Sequence, residues 1–329
     1  MTHVSPSIIS IQSISKRFVK TRDMAAKIVA YLRSSADPET VHAVDNVTLD
    51  IHEGEILGLV GESGCGKSTL GRLIVGIHPA SDGEVFYHGK PVGDIERKAK
   101  TDIQMIFQDP QSSLNPRMRV GDIIAEGLVA KGIKRRERQI IVEECMNSVG
   151  MDPIYMNRFP HEFSGGQRQR ISIARALAVN PKVLVCDESI AALDVSIQAQ
   201  VINLFMGLKD KFNLTYVFIS HDISVVQHIS DRVAVMYLGR LVELAPSEML
   251  FQNPSHPYTK ALLSAIPKLE AKRRDFKIIE GEIPSPINPP SGCHFHKRCP
   301  VAEKRCQNTV PAFEKIGEGH FSACHLATK

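Results

Sequence analysis

Apolar and polar positions change rhythm along the chain, and the changes mark its elements. IISIQSISKRF (8–18) alternates at period two, as a half-buried strand does. VDNVTLDIHEGEILGLVGESG (44–64) predicts two further strands, with Gly54 at the turn between them. Between these segments the polar stretch KTRDMAAKIVAYLRSSADPET (20–40) reads as an insertion, in part helical. From Asp122 to Leu177 the spacing becomes helical, and in IIVEECMNSVGM it puts Ile141, Cys145 and Val149 on one face. KVLVCDE (182–188) and LTYVFISHD (214–222) are short continuous apolar runs ending in polar or acidic residues. Such runs suit strands of a parallel sheet covered on both faces. RVAVMYLGRLVELAP (232–246) reads as a hairpin turning at Leu238-Gly239. Beyond Ile266 the composition shifts, and the Pro-rich EIPSPINPPSGC (282–293) reads as a linker into a cysteine-rich end.

Composition changes this picture little. Apolar residues make up 43% and charged residues 23% of 329, ordinary values for a folded domain with an appendage. A net charge of +4 is too mild to be the basic footprint of a nucleic-acid binder, so no nucleic-acid partner is expected. The run Lys134-Arg135-Arg136-Glu137-Arg138 reads as a solvated helix face. No apolar run reaches the roughly 18 residues of a membrane span, and the first residues do not read as a signal peptide. A cytosolic setting is therefore expected, where clustered cysteines are more often metal ligands or redox groups than structural disulfides.

Candidate chemistry begins in Gly61-Glu62-Ser63-Gly64-Cys65-Gly66-Lys67-Ser68-Thr69, which contains the phosphate-loop spacing G-x-x-x-x-G-K-S. Glycines let successive backbone N–H groups converge on a phosphate. Lys67 supplies a cation to the β- and γ-phosphates, and the Ser68 hydroxyl can ligate Mg²⁺. An apolar strand precedes the loop and a helix follows it, with its N-terminus toward the anion. Asp187 and Glu188 close a second apolar strand, suited to holding Mg²⁺ through water and to polarising an attacking water. Ser164-Gly165-Gly166-Gln167 opens another helix with glycines, a second anion-facing terminus. A second chain's nucleotide would account for that surplus.

GESGCGKST, FSGGQRQRI, CDESIAALD and SHD, in this order, resemble the ATPase subunits of ABC transporters over about residues 8–262. The resemblance implies an α/β P-loop NTPase with a RecA-like core sheet, an antiparallel β subdomain and a helical signature subdomain near 110–177. A small Cys-rich C-terminal extension follows. The implied division is an ATP-binding domain at 1–262 and a Pro- and Cys-rich regulatory or metal-binding extension at 263–329. Gln108 then resembles the residue that touches Mg²⁺, with Ser68 and Asp187, and couples to the membrane subunits. Glu188 and His221 are the implied catalytic pair, His221 contacting the γ-phosphate. Ser164 to Gln167 resemble the signature that closes on a partner's ATP, Ala192-Leu193-Asp194 the D-loop, and Phe18 is the candidate to stack on adenine. Two positions depart from the family's pattern. Phe163 stands where Leu is usual, and Ser189-Ile190-Ala191 replaces a Pro followed by small polar residues.

IFQDPQSSLNPRM, DVSIQAQ, NPSHPYTKALLSAIP and PSPINPPSGC narrow the resemblance to the second ATPase of oligopeptide and dipeptide importers. The partners so implied are a sister ATPase, two integral membrane permease subunits and an extracytoplasmic solute-binding protein. The implied location is peripheral, on the cytoplasmic face of the cell membrane. An alternative, a non-transport ATPase of DNA repair or translation, meets two objections. Repair members carry long coiled coils, whereas 97 residues lie between Gly66 and Ser164, and translation members usually join two ATPase domains.

Four of the seven cysteines, Cys293, Cys299, Cys306 and Cys324, have the spacing C-x₅-C-x₆-C-x₁₇-C, which by itself names no metal. Four thiolates would nonetheless be a sufficient ligand set, and a metal would supply folding energy to a tail with little apolar material. The tail also resembles those of peptide-import ATPases in which such cysteines hold a [4Fe–4S] cluster. The expectation is that cluster, with zinc as the alternative, alongside ATP and Mg²⁺.

Overall fold

The structure, a computed structural model, describes residues 6–19, 39–94, 99–191, 193–265 and 281–327. The insertion expected between the first strands falls largely outside these residues, as does Ala192. Two sheets are present among them. β1 (Ser7–Val19), β2 (Thr40–His52), β4 (Asp82–Tyr87) and β5 (Lys90–Pro91) form an antiparallel sheet in the order β2-β1-β4-β5. The larger sheet contains β3 (Ile56–Val60), β6 (Ile103–Ile106), β7 (Val183–Asp187), β8 (Thr215–Ile219), β9 (Arg232–Tyr237), β10 (Arg240–Pro246), β11 (Glu314–Gly317) and β12 (His320–Ser322). Its order is β11-β12-β10-β9-β3-β8-β7-β6, with β9, β3, β8, β7 and β6 parallel to one another and β10 antiparallel to β9.

Period-two alternation explains why the parallel strands carry no polar face. Val183 and Val185 of β7, with Val217 and Ile219 of β8, face the helix Lys67–Ile74 and the antiparallel sheet. Leu184, Cys186, Tyr216 and Phe218 face the opposite core, built with the helices Val120–Ala130, Arg135–Ser148, Gly165–Leu177 and Val195–Phe212. With cores on both faces, every residue of β3, β7 and β8 is buried.

The helical region differs from its predicted face. In Arg135–Ser148 the buried residues are Val142 and Met146, while Ile141 and Cys145 are half-buried and flank them. Val149, just past the helix, is fully buried. The stripe thus follows i, i+4, i+7 through 142, 146 and 149, keeping the expected Val149 but shifting one position on from Ile141 and Cys145. The hairpin expected at Leu238-Gly239 is present, with φ of 44° and 84° as a type I′ turn requires.

Contrary to the premise of a tail without a core, the C-terminal segment is built into the larger sheet. β12 pairs antiparallel with β10, β11 pairs with β12, and Phe295 is 1% exposed within the main core.

Candidate functional site

One rung of the parallel sheet assembles the site. Leu59 of β3 is paired with Ile219 of β8, and Ile219 with Asp187 of β7. The residues that follow at this edge are the phosphate loop, His221, and Glu188. Next to them β6 ends at Ile106, paired with Cys186, delivering Phe107 and Gln108 to the same edge. This is the carboxyl edge of an open α/β sheet, where ligands bind.

The loop can take its shape only with glycine at both ends. Gly61 has φ 153°, and a Cβ there would lie 2.1 Å from the Met236 carbonyl oxygen. Gly66 has φ 107°, with a Cβ position 2.1 Å from the Ala43 carbonyl oxygen. Lys67 is 4% exposed, and its Nζ donates to the carbonyl oxygens of Gly61 (2.8 Å) and Glu62 (3.1 Å). The lysine therefore spans the loop from the first turn of the helix it opens. A glycine cradle, a buried cation and a helix N-terminus fit a nucleotide's phosphates.

Ser68 Oγ donates to Asp187 Oδ1 at 2.7 Å. Asp187 is 2% exposed, and burial pushes its carboxyl above the ordinary range, opposed by the Ser68 hydrogen bond. A hydroxyl and a buried carboxylate in contact form the oxygen donor set that Mg²⁺ prefers. Glu188 is the meeting point of the remaining groups. Its Oε2 accepts from Gln108 Nε2 at 2.8 Å and lies 3.4 Å from His221 Nδ1. Glu188 also has φ 45°, rare for a side chain of its size, so its backbone is held against local preference at the strand end.

The structure does not bring every expected residue to this cluster. Ser164 caps the helix Gly165–Leu177 in a reciprocal box with Gln167: the Gln167 N–H donates to Ser164 Oγ (3.3 Å), and the Ser164 N–H to Gln167 Oε1 (3.0 Å). Ser164, Gly165 and Gln167 are exposed, and Gly166 packs close to Ile197, its Cβ position 2.8 Å from that side chain. Asp194 is exposed at the start of Val195–Phe212. Phe18 sits on β1 with its ring edge-on to His78 at 5.5 Å and the Lys16 ammonium 5.1 Å from its centroid.

The sequence pattern described as ABC transporter matches residues 44–191, and the oligopeptide/dipeptide transporter C-terminal region matches 242–306. The oligopeptide transport ATP-binding protein AppF of Bacillus subtilis (strain 168) is 50% identical over 295 residues, 87% of this chain and 90% of the relative. The chain belongs to the oligopeptide/dipeptide branch of the ABC transporter ATPases. OppF, the oligopeptide transport ATP-binding protein of Salmonella typhimurium, is 54% identical over 287 residues, 84% of this chain and 86% of the relative. Among solved structures, the ATP-binding cassette MJ0796 in a dimeric post-hydrolysis state bound to ADP and Pi superposes with TM-score 0.61. It is 26% identical and covers 73% of this chain and 98% of its own.

In this ABC ATPase the metal expected in the tail is overturned. Among the described residues, no group of three or more His, Cys, Asp or Glu side chains is placed to hold a metal ion, so neither a [4Fe–4S] cluster nor zinc is supported. Cys293, Cys299, Cys306 and Cys324 are free and line one cavity of about 10 Å³. Burial pushes the Cys293 thiol up to about 11 and raises those of Cys299 and Cys324, which favours thiols over the thiolates that bind metal. The tail's stability has another source. Phe295 packs on Tyr237 and Tyr258 at centroid distances of 5.3 and 5.4 Å. Glu243, fully buried in β10, accepts the N–H groups of Ser255 (2.6 Å) and His256 (3.0 Å) and lies 2.7 Å from His320 Nε2.

His256-Pro257-Tyr258-Thr259, within NPSHPYTKALLSAIP, reaches the phosphate loop. His256 Nδ1 accepts the Tyr258 N–H at 3.1 Å, and the Tyr258 hydroxyl accepts the N–H of Glu62 in the phosphate loop at 2.9 Å. Burial pushes the His256 imidazole down to about 3, so it is neutral in the folded chain. Below the ordinary histidine range the unfolded chain takes up a proton that the folded chain refuses, and stability falls with pH between about 6.5 and 3. On acidification from pH 7 to 5 this residue is expected to cost about 2 kcal/mol. Urea unfolding at the two pH values checks it, and His256→Gln should flatten the difference.

Proposed function

We propose that this ATPase powers import of di- or oligopeptides through an ABC permease, bound peripherally at the cytoplasmic face of the cell membrane. Its partners in this reading are a sister ATPase, two integral membrane subunits and a solute-binding protein that delivers the peptide. The observation that carries the proposal is the single sheet edge holding the phosphate loop, Asp187, Glu188, Gln108 and His221. Peptide as the cargo rests on the relatives, which are named as oligopeptide transport ATP-binding proteins. No described helix is long and apolar enough to cross a membrane, which accords with a motor subunit that borrows its path from others.

In the proposed cycle, residues 61–69 hold the β- and γ-phosphates, with Lys67 reaching the γ-phosphate from inside the loop. Ser68, Asp187 and Gln108 would hold Mg²⁺, which when bound would neutralise charge on the phosphate oxygens. Glu188 accepts a hydrogen bond from the attacking water and takes its proton as the water's oxygen attacks the γ-phosphorus and ADP leaves, while His221 orients that water and contacts the γ-phosphate. In this reading Gln108, hydrogen-bonded to Glu188, reports nucleotide state to the membrane subunits. The exposure of Ser164, Gly165 and Gln167 supports a site for a second chain's nucleotide in a head-to-tail pair, with Asp194 beside that interface. Phe18 is retained as the adenine-stacking candidate. Residues 1–262 then form the ATP-binding domain and 263–329 the extension.

The test is reconstitution of the full complex in liposomes with its binding protein. Peptide-loaded binding protein should raise ATP turnover several-fold and drive peptide inward. Turnover indifferent to peptide would reject this cargo. Co-purification with ribosomes or DNA in place of membrane subunits would favour the non-transport reading.

A further inference from the structure

The phosphate loop is fastened on its outer side by the C-terminal segment. Arg298 Nη1 donates to Glu62 Oε2 at 2.7 Å and Nη2 to Glu62 Oε1 at 3.0 Å, a two-pronged pair between residues 236 positions apart. The Arg298 side chain is 6% exposed and the Glu62 side chain 22%, so water does little to screen the pair. Arg298 Nη1 also reaches the Tyr237 hydroxyl at 3.4 Å, and its guanidinium lies 5.8 Å from that ring. The Glu62 N–H is held by the Tyr258 hydroxyl, and the Cys65 carbonyl accepts the Gly239 N–H at 2.9 Å. Each end of the glycine-rich stretch is thus anchored by residues from after position 230.

Two physical consequences follow. A loop of glycines has much conformational freedom to lose on binding phosphate, and anchoring it beforehand reduces that cost. Glu62 also places a carboxylate in a loop meant for a polyanion. Left unpaired, it would repel the nucleotide across a partly buried gap, where like charges cost more than in water. Arg298 cancels that charge with the bidentate geometry that a lysine cannot reproduce.

We infer that the C-terminal segment braces the phosphate loop, with Arg298 as a positioning residue that neutralises Glu62 and presets the loop for ATP. The inference rests on the nucleotide-site reading above and adds a role for the tail within it. It gives the extension a duty in nucleotide affinity while leaving the water-activating groups untouched.

The experiment compares Arg298→Ala, Arg298→Lys, Glu62→Gln and the double variant Arg298→Ala/Glu62→Gln in the reconstituted complex, reading kcat, KM and equilibrium ATP binding. Arg298→Ala should raise KM and weaken ATP binding by about tenfold with kcat within about twofold. Arg298→Lys should fall between it and the native protein. The double variant should recover most of the lost affinity, because the repelling carboxylate is gone. A tail that mattered only for stability would lower the unfolding midpoint, and removing the Glu62 charge would not restore affinity. An unchanged KM in folded Arg298→Ala, or a double variant no better than Arg298→Ala, overturns the inference. Should Arg298→Ala fail to fold, Arg298→Gln keeps the bulk and is read the same way. ATP affinity is measured independently of turnover, so a native complex without ATPase activity would sink the hydrolysis reading and leave the brace separately decided.

Discussion

Glu188→Gln is expected to lower the ATP turnover of the complex by about 10²–10³-fold while changing ATP affinity only a few-fold. The substitution keeps the size of the side chain and removes its capacity to accept a proton. Glu188 Oε2 already gathers Gln108 Nε2 and His221 Nδ1, so an amide there can still bond to one of them. The loop, Lys67 and the Ser68–Asp187 contact do not involve Glu188, which is why binding should survive. Single-turnover hydrolysis together with equilibrium ATP binding separates the two quantities. Turnover within a factor of two of the native complex would remove Glu188 from its role as the group that activates water.

Gly66→Ala is expected to abolish measurable nucleotide binding. The new methyl group would be placed 2.1 Å from the Ala43 carbonyl and 2.9 Å from the Met236 methyl. The first of these is backbone of the neighbouring strand and has little room to retreat. The residue must also keep φ 107°, which any side chain adopts at a cost. The helix start would therefore shift and carry Lys67 with it. Gly89→Ala separates the two causes, because φ there is 74° but nothing lies within 4 Å of the added Cβ. That variant should lose about 1–2 kcal/mol of stability from backbone strain alone and bind ATP normally. Isothermal titration with ATP, alongside urea unfolding of both variants, makes the comparison. Normal binding by Gly66→Ala would mean that the loop does not need its present shape.

Sequence and structure agree most closely where a residue's chemistry is local. The spacing Gly61-x-x-x-x-Gly66-Lys67-Ser68 prescribes backbone and cation within one short segment, and the apolar runs of β7 and β8 announce strands buried on both faces. Agreement weakens where a face must be chosen. Residues 141, 145 and 149 share four-residue steps as neatly as 142 and 146 do, and only packing against the neighbouring helices decides which row is buried. It fails for the tail. Four cysteines and prolines suggested a segment in need of metal, because no strand pattern in EKIG or HFS is long enough to stand out. Those short strands persist by continuing a sheet that already exists, and Phe295 finds its core among Tyr237 and Tyr258 of the main domain.

The sequence by itself determined the kind of machine: a phosphate loop, two carboxylates at a strand end, a capped glycine helix start and a histidine, each recognisable from its immediate neighbours. Tertiary structure decided how they cooperate. Sheet register aligned Leu59, Ile219 and Asp187 so that separate segments share one edge. The same folding brought Arg298 onto Glu62, a contact spanning 236 positions that no local pattern encodes, because its energy exists only after two distant surfaces have met.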